Sequence, residues 1–240
     1  MRTTLLAALA TTLLVATAAR AQKCPKVVPG VSIGPIKVGD ATARVAKLKL
    51  QKDLYEIFYD QKRSKVTSVG LNLHNARCFE IDKKTIKIDP KKLLPEAVAL
   101  RIGGCGPSQM VIGGNNLYCR GGKLGLVWNR GYVSLRAIGA PDKHQRETSA
   151  PACAGYVLHG ALVTGQGESK RLEPKAGKLY CFGSRVVTTK WTPKNIWDIP
   201  ARSCGEKKMR GFTVLSCDWW GLRFWFKGTL RRIEAYRAKQ

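Results

Sequence analysis

The sequence predicts an α+β protein of two tandem related domains, each a short helix packed on an antiparallel β-meander and stapled by disulfides. Three observations support this fold class. Eight cysteines, all beyond residue 21, fall into two sets of four. The segments around the two sets align in the same order along the chain, which indicates an internal repeat. Short runs of alternating apolar residues, separated by Gly or Asn, follow the last cysteine of each set and are typical of antiparallel strands.

Residues 1–21 have the features of a secretory signal peptide. Arg2 supplies the charged start, residues 5–18 form a short apolar run, and Ala19-Arg20-Ala21 is a small-x-small cleavage site. No later apolar run approaches the roughly 20 residues that a membrane-spanning helix needs, so no transmembrane segment is predicted. We therefore expect a periplasmic or extracellular protein after removal of the signal peptide.

The cysteines are most simply explained as four disulfides, because an exported protein meets an oxidising compartment. They are Cys24, Cys78, Cys105, Cys119, Cys153, Cys181, Cys204 and Cys217. The spacing does not fix the complete pairing. The members of the 105/119 and 204/217 sets each flank a predicted hairpin, where they would lie across adjacent strands. No Cys-x2-Cys pair occurs, so we predict neither a metal site nor a cofactor.

The internal repeat defines the predicted domain boundaries. Cys78-Phe79 aligns with Cys181-Phe182, and Leu117-Tyr118-Cys119 aligns with Leu215-Ser216-Cys217, while the offset between the halves narrows from 103 to 96 residues along the alignment. Between the halves lies a polar segment poor in large apolar residues. We predict a first domain at 22–138, a linker at 139–152 and a second domain at 153–240.

The first domain is predicted to begin with an extension that the second mostly lacks. Asp40 is a candidate N-cap for a helix that carries Ala41, Val45 and Leu48 on one face. Residues 54–73 then alternate as two strands around a basic turn.

Later helix and turn signals are shared between the halves. Asp89 and Thr192 each precede a proline and are predicted N-caps. Pro95 must interrupt or restart the first of these helices, and Pro200 must stop the second early. Gly113-Gly114-Asn115 is the predicted hairpin turn of the first domain, because these residues tolerate positive φ.

The richest candidate binding stretch is residues 218–237. Treated as one strand, it places Trp220, Leu222, Phe224 and Phe226 on one face. The opposite face then carries the predicted ligand-binding residues, which we call the aromatic–cationic row: Trp219, Arg223, Trp225 and Lys227. Such a row suits stacking and charge contacts with a ligand. The alternative is that the rest of the chain covers it.

The choice of faces depends on how this strand aligns with its counterpart in the first domain. Aligning Gly125 with Gly221 superposes the apolar faces of the two strands. Aligning Trp128 with Trp225 reverses them, because a slip of one residue exchanges the faces of a strand. We prefer the first alignment because it keeps one core.

Charge limits the partners. The full chain carries a net charge of +26, and removal of the signal peptide with its two arginines leaves about +24. Such a field favours an anionic polymer of the cell envelope or an acidic protein, and nucleic acid only as a nonspecific partner.

The sequence contains neither of two common catalytic motifs, Gly-x-Ser-x-Gly and His-Glu-x-x-His.

We therefore predict an exported, non-catalytic binding protein, with inhibition of an acidic protein as one form of that function. A hydrolase acting on an envelope polymer and a purely structural envelope protein are the alternatives. The sequence does not indicate an oligomeric state.

Tandem units with a capped helix, a Cys-bracketed hairpin and aromatic strands resemble the secreted β-lactamase inhibitor proteins and the small outer-membrane assembly lipoproteins. In those families an apolar residue followed by Gly-Met-Thr-x-x-x-Val opens the helix. Here residues 38–45, VGDATARV, keep the Gly and the Val but depart at the Met and the Thr. The resemblance covers about half the chain. It implies helix-plus-sheet domains whose sheet faces bind another protein, and it carries no contact residue across.

Overall fold

The computed structural model describes residues 23–51, 53–111, 114–129, 131–165, 167–199 and 204–236. The predicted signal peptide lies outside the described residues, as do Gly113 and Pro200. Helices and antiparallel sheets occur together with four disulfides, so the predicted α+β class is confirmed. None of the described helices is long and apolar enough to cross a membrane.

The first half of the chain forms two sheets. Its elements are β1 (Lys26–Val28), β2 (Ser32–Ile33), β3 (Ile36–Lys37), α1 (Thr42–Ala46), β4 (Tyr55–Tyr59), β5 (Val66–Asn72), β6 (Cys78–Ile81), β7 (Lys84–Lys87), a 3-10 turn (Pro90–Lys92), α2 (Pro95–Ile102), β8 (Gln109–Val111), β9 (Gly114–Cys119), β10 (Leu124–Asn129) and β11 (Tyr132–Ile138). One sheet has the order β3-β2-β1-β6-β7 and the other β4-β5-β11-β10-β9-β8. Strands β4 and β5 are the two strands predicted around a basic turn.

The second half is built in a similar order. After α3 (Lys143–Thr148) come β12 (Gly155–Leu158), β13 (Ala161–Thr164), β14 (Gly167–Ser169), β15 (Arg171–Leu172), β16 (Tyr180–Phe182), β17 (Arg185–Val187), α4 (Pro193–Trp197), β18 (Cys204–Met209), β19 (Phe212–Cys217), a 3-10 turn (Asp218–Trp220), β20 (Leu222–Lys227) and β21 (Thr229–Ala235). The sheets are β14-β13-β12-β16-β17 and β15-β21-β20-β19-β18. In each half the first sheet contains one parallel pair, β1 with β6 and β12 with β16.

The four disulfides occupy corresponding places in the two halves. Cys105 bonds to Cys119 and Cys204 to Cys217, and each pair lies directly opposite in an antiparallel ladder, as the hairpin argument predicts. Cys24–Cys78 and Cys153–Cys181 instead tie the chain just before β1 and β12 to the parallel partner strand. Parallel strands cannot be joined by a tight turn, so these two bonds close long loops.

Helix α1 begins later than predicted. Its N-cap is Ala41 rather than Asp40, and Ala41 is held extended by a β-bridge to Lys65. The Asp40 carboxylate accepts the Lys37 N–H at 2.8 Å and forms an ion pair with Arg44. The prediction of Asp40 as N-cap is therefore wrong, because its side chain closes the preceding turn instead.

The two later capping predictions hold. The Asp89 carboxylate accepts the Lys91 N–H at 3.0 Å, and the helix then restarts at Pro95. Thr192 precedes α4 and donates its N–H to the Asn195 side-chain oxygen at 2.7 Å.

The hairpin turn between β8 and β9 differs from the prediction. Val111 pairs with Gly114, and Met110 pairs with Asn115, so Gly114 and Asn115 belong to β9. Placing these two residues in the turn is wrong. Several two-residue turns suit a Gly-Gly-Asn sequence, and the register of the ladder selects among them.

The segment predicted as a linker, 139–152, contains the short helix α3. The Asp142 carboxylate caps it by accepting the Gln145 N–H at 2.7 Å. The end of the segment packs tightly on the first hairpin, because a Cβ added at Gly106 would lie 1.8 Å from the Thr148 carbonyl oxygen. The Tyr156 hydroxyl then donates to the Gly106 carbonyl at 3.0 Å. The segment is therefore packed against the fold, and the division into two domains stays a prediction.

Candidate functional site

The faces of β20 follow the predicted alternation. Leu222, Phe224 and Phe226 are at most 1% exposed, whereas Arg223 and Lys227 on the alternate positions are exposed. Leu124 lies opposite Cys119, and Leu222 lies opposite Cys217, so the apolar faces of β10 and β20 correspond. The ladders match Leu124 with Leu222, so Gly125 corresponds to Arg223 rather than to Gly221, two residues from the preferred alignment. This shift keeps the preferred faces, and the alignment that would reverse them is excluded.

Trp219 does not belong to this strand. It lies on the 3-10 turn before β20, and Gly221 in the left-handed backbone conformation (φ 61°) separates the turn from the strand. A continuous strand over residues 218–237 is therefore the wrong prediction, because the 3-10 turn ends at Gly221 and the chain reverses at Gly228 between β20 and β21. Trp219 is 72% exposed, while Trp220 is buried with its ring centroid 4.8 Å from that of Phe182.

Trp225 is the centre of the sheet surface opposite the core, which we call the outer face. The Arg232 guanidinium lies 4.0 Å from its ring centroid, and the Phe212 ring meets it edge-on with centroids 5.9 Å apart. Its indole N–H donates to Glu234 at 2.8 Å, and Glu234 also pairs with Arg232 at 3.1 Å. These contacts leave Trp225 half-buried and fix the orientation of Arg232.

A β-bulge brings a second arginine to this surface. The register between β20 and β21 shifts at Trp225/Phe226, so Arg232 lies opposite Trp225 and Leu230 opposite Phe226, which leaves Arg231 as the extra residue. A bulge redirects side chains that strict alternation would place on opposite faces. Both arginines consequently line one shallow groove.

We call this depression the cationic groove. Its volume is about 670 Å³, and its walls are formed by Arg171, Glu173, Phe212, Lys227, Arg231 and Arg232. Of these residues only Lys227 was among the predicted site residues. Arg171, Phe212, Arg231 and Arg232 were missed, because neither the short strand β15 nor the bulge leaves a signal in the periodicity of the sequence.

The electrostatics of the groove are unbalanced. Arg171 pairs with Glu173, and Arg232 pairs with Glu234. Lys227 and Arg231 are exposed and have no ion-pair partner among the described residues. The groove therefore offers two uncompensated cations beside two paired guanidinium groups, and this arrangement suits an anion.

The remaining member of the row, Arg223, lies at the other end of β20. Its guanidinium lies 4.3 Å from the ring centroid of Tyr236, whose hydroxyl donates to Asp218. Burial, followed by the hydrogen bond to Asp218, raises the pKa of Tyr236 to about 12. Tyr236 is therefore neutral at physiological pH and can present a polar but uncharged edge beside Arg223.

The corresponding sheet of the first half offers a different surface. Its central cation, Arg136, stacks on Phe58 at 4.4 Å and pairs with Glu56 at 3.7 Å. Helix α3 lies against β9 of this sheet, where the rings of His144 and Tyr118 are 6.4 Å apart. This surface is more nearly neutral and is partly covered, so the cationic outer face is a property of the second half.

The described residues contain no group of three or more His, Cys, Asp or Glu side chains placed to hold a metal ion. All eight cysteines are in disulfides. Comparisons with known proteins find no matching family model, no matching curated protein and no matching solved structure. The resemblance to the β-lactamase inhibitor proteins thus stays a likeness of motifs, and the properties of the outer face carry the functional argument.

Proposed function

We propose that this protein is an exported, non-catalytic binding protein whose anionic partner occupies the outer face of the second half. The observation that carries the proposal is the cationic groove, in which the bulge sets Arg231 beside Arg232 and both beside Lys227. An open, shallow surface with uncompensated cations favours association with a large anion over enclosure of a small substrate.

The compartment is consistent with this role. Four disulfides are typical of a protein in an oxidising compartment, and the signal peptide predicted at residues 1–21 would deliver the chain there. Envelope polymers and exported acidic proteins are the anionic partners that such a protein would meet.

The similar strand order of the halves supports an internal duplication with divided roles. The first half carries the paired Arg136 and is partly covered by α3, whereas the second half exposes its cations. We infer that the first domain supports the fold and that the second domain binds the partner.

The test compares two double variants with the same change in net charge. Lys227→Gln/Arg231→Gln removes the uncompensated cations of the groove, and Lys62→Gln/Lys84→Gln removes two exposed cations of the first half. Binding to immobilised polygalacturonate and polyglutamate is measured from low to physiological salt. We expect the groove variant to lose affinity by about tenfold or more at physiological salt, and the control to lose little. Equal losses in both variants would show that binding depends on net charge alone, which contradicts the proposal.

A further inference from the structure

We infer that the outer face binds an acidic polysaccharide, with carboxylate-bearing sugar rings as the recognised unit. This inference rests on the proposed function and names the chemistry of its partner. It follows from the spacing of the cations, the half-buried aromatic rings between them and the position of the groove within the sheet.

The cations are spread along the sheet rather than gathered at one point. Lys207, Val214, Trp225 and Arg232 lie opposite one another on four neighbouring strands. Lys207 and Arg232, the two cations of this row, are three strand spacings apart, which is a distance of about 14 Å between their backbones. Along β20 the distance from Arg223 to Lys227 is about 13 Å. A single small anion cannot reach both ends, whereas an extended polymer with repeated charges can.

Aromatic rings lie between these cations. Phe212 and Trp225 are half-buried in the middle of the face, and Tyr236 is half-buried beside Arg223. A sugar ring with a carboxylate has an apolar C–H surface and a charged edge. The Phe212 ring, which lines the groove, suits the C–H surface, and the unpaired Arg231 guanidinium suits the carboxylate because guanidinium groups bind carboxylates in a bidentate manner.

An extended acidic peptide fits the same surface less well. Peptides that bind to sheets gain much of their affinity by pairing with the backbone of an open edge strand. β20 pairs with β19 and β21 along its length, whereas β21 has a second partner strand, β15, only at Ile233 and Glu234. A peptide lying across β20 would find no backbone partner and would depend on flexible side-chain carboxylates.

The test uses oligogalacturonate, polyglutamate with the same number of carboxylates, and neutral dextran as probes. Their affinities for the intact disulfide-bonded protein are measured by calorimetry at physiological salt. We expect oligogalacturonate to bind at least about tenfold more tightly than polyglutamate, and dextran to show no binding.

A ring-removing variant tests the aromatic contact. Phe212→Leu keeps an apolar side chain but removes the ring from the groove, and Phe58→Leu makes the same change on the first sheet, where Phe58 is half-buried under Arg136. We expect Phe212→Leu to weaken oligogalacturonate binding about fivefold or more while leaving polyglutamate binding unchanged, and Phe58→Leu to affect neither. Equal urea midpoints of the two variants establish that a difference in oligogalacturonate binding arises from the lost ring contact and not from a difference in stability.

The outcomes separate the two proposals. If polyglutamate binds as tightly as oligogalacturonate, or if Phe212→Leu weakens both equally, the polysaccharide is the wrong partner and an acidic protein takes its place, while the proposed function stands. If neither polyanion binds the wild-type protein, the proposed function fails as well.

Discussion

The two disulfide types should differ in what they contribute to stability. Cys24–Cys78 joins residues 54 apart in the sequence, whereas Cys204–Cys217 joins residues 13 apart. In the chain-entropy model a disulfide lowers the entropy of the unfolded chain by an amount that grows with the logarithm of the loop length. The longer loop then contributes about 4 kcal/mol and the shorter about 3 kcal/mol.

The two bonds form a matched comparison. Each joins one half-buried cysteine to one that is at most 9% exposed, Cys24 to Cys78 and Cys204 to Cys217. Replacing both partners by alanine therefore removes a similar amount of packed sulfur in each case. The packing losses largely cancel in the difference, which leaves the entropic gap of about 1 kcal/mol.

The free energy of unfolding is measured by urea denaturation of the wild type, Cys24→Ala/Cys78→Ala and Cys204→Ala/Cys217→Ala. We expect both variants to be destabilised, the first by more. The reasoning is refuted if the short-loop variant loses as much stability as the long-loop variant or more. That outcome would mean that the hairpin disulfide acts mainly on the folded state, by holding the register of β18 against β19.

Three further predictions concern single positions. Glu96 on α2 is 7% exposed, and burial raises the pKa of its carboxyl, so the wild type loses stability as the pH rises above the ordinary carboxyl pKa. Glu96→Gln should therefore be the more stable protein at neutral pH but not in acid, as judged by urea midpoints, and a difference in midpoint that does not change with pH would contradict this reasoning. Gly106→Ala should cost about 3 kcal/mol or more because its Cβ meets the Thr148 carbonyl oxygen, whereas Gly205→Ala, at the aligned position with no atom of the described residues within 4 Å, should be nearly neutral. Equal effects of the two substitutions on thermal unfolding would contradict the packing of the 139–152 segment. Asp218→Asn should lower the pKa of Tyr236 from about 12, because the carboxylate disfavours the tyrosinate, and an unchanged spectrophotometric titration would exclude that contact.

Much of the fold could be predicted from local chemistry. Cysteine spacing predicted the two hairpin disulfides, because two cysteines that flank a short hairpin lie on adjacent strands, close enough to bond to each other. Residues before proline predicted the starts of the 3-10 turn and α4. The Asp89 carboxylate accepts the Lys91 N–H, and the Asn195 side chain accepts the Thr192 N–H. The alternation of apolar residues predicted the buried face of β20, because a strand that packs on a core exposes every second residue.

The failures occurred where tertiary contacts override local preference. Asp40 is an acceptable N-cap by residue type, but its carboxylate is engaged by Lys37 and Arg44. Gly114 and Asn115 lie in β9 rather than in the predicted hairpin turn, because the pairing of β8 with β9, and not the type of the turn residues, fixes the register. Residues 139–152 are polar, yet residues 143–148 form a helix that the capping box of Asp142 and Gln145 stabilises, and Gly106 leaves room for the backbone of Thr148 against the first hairpin.

The candidate site depends on two interruptions of a regular strand pattern. Alternation alone placed Arg223, Trp225 and Lys227 on one face, and the structure agrees. Gly221 then removes Trp219 from the strand, and the bulge opposite Trp225 adds Arg231 to the surface that already holds Arg232. Because a bulge arises from the pairing of two strands, no periodicity within either strand can reveal it. Deleting Arg231 would restore the regular register of β21 against β20 and leave Arg232 without the second arginine, so the groove should bind polyanions more weakly while the apolar face of β20 keeps its place in the core.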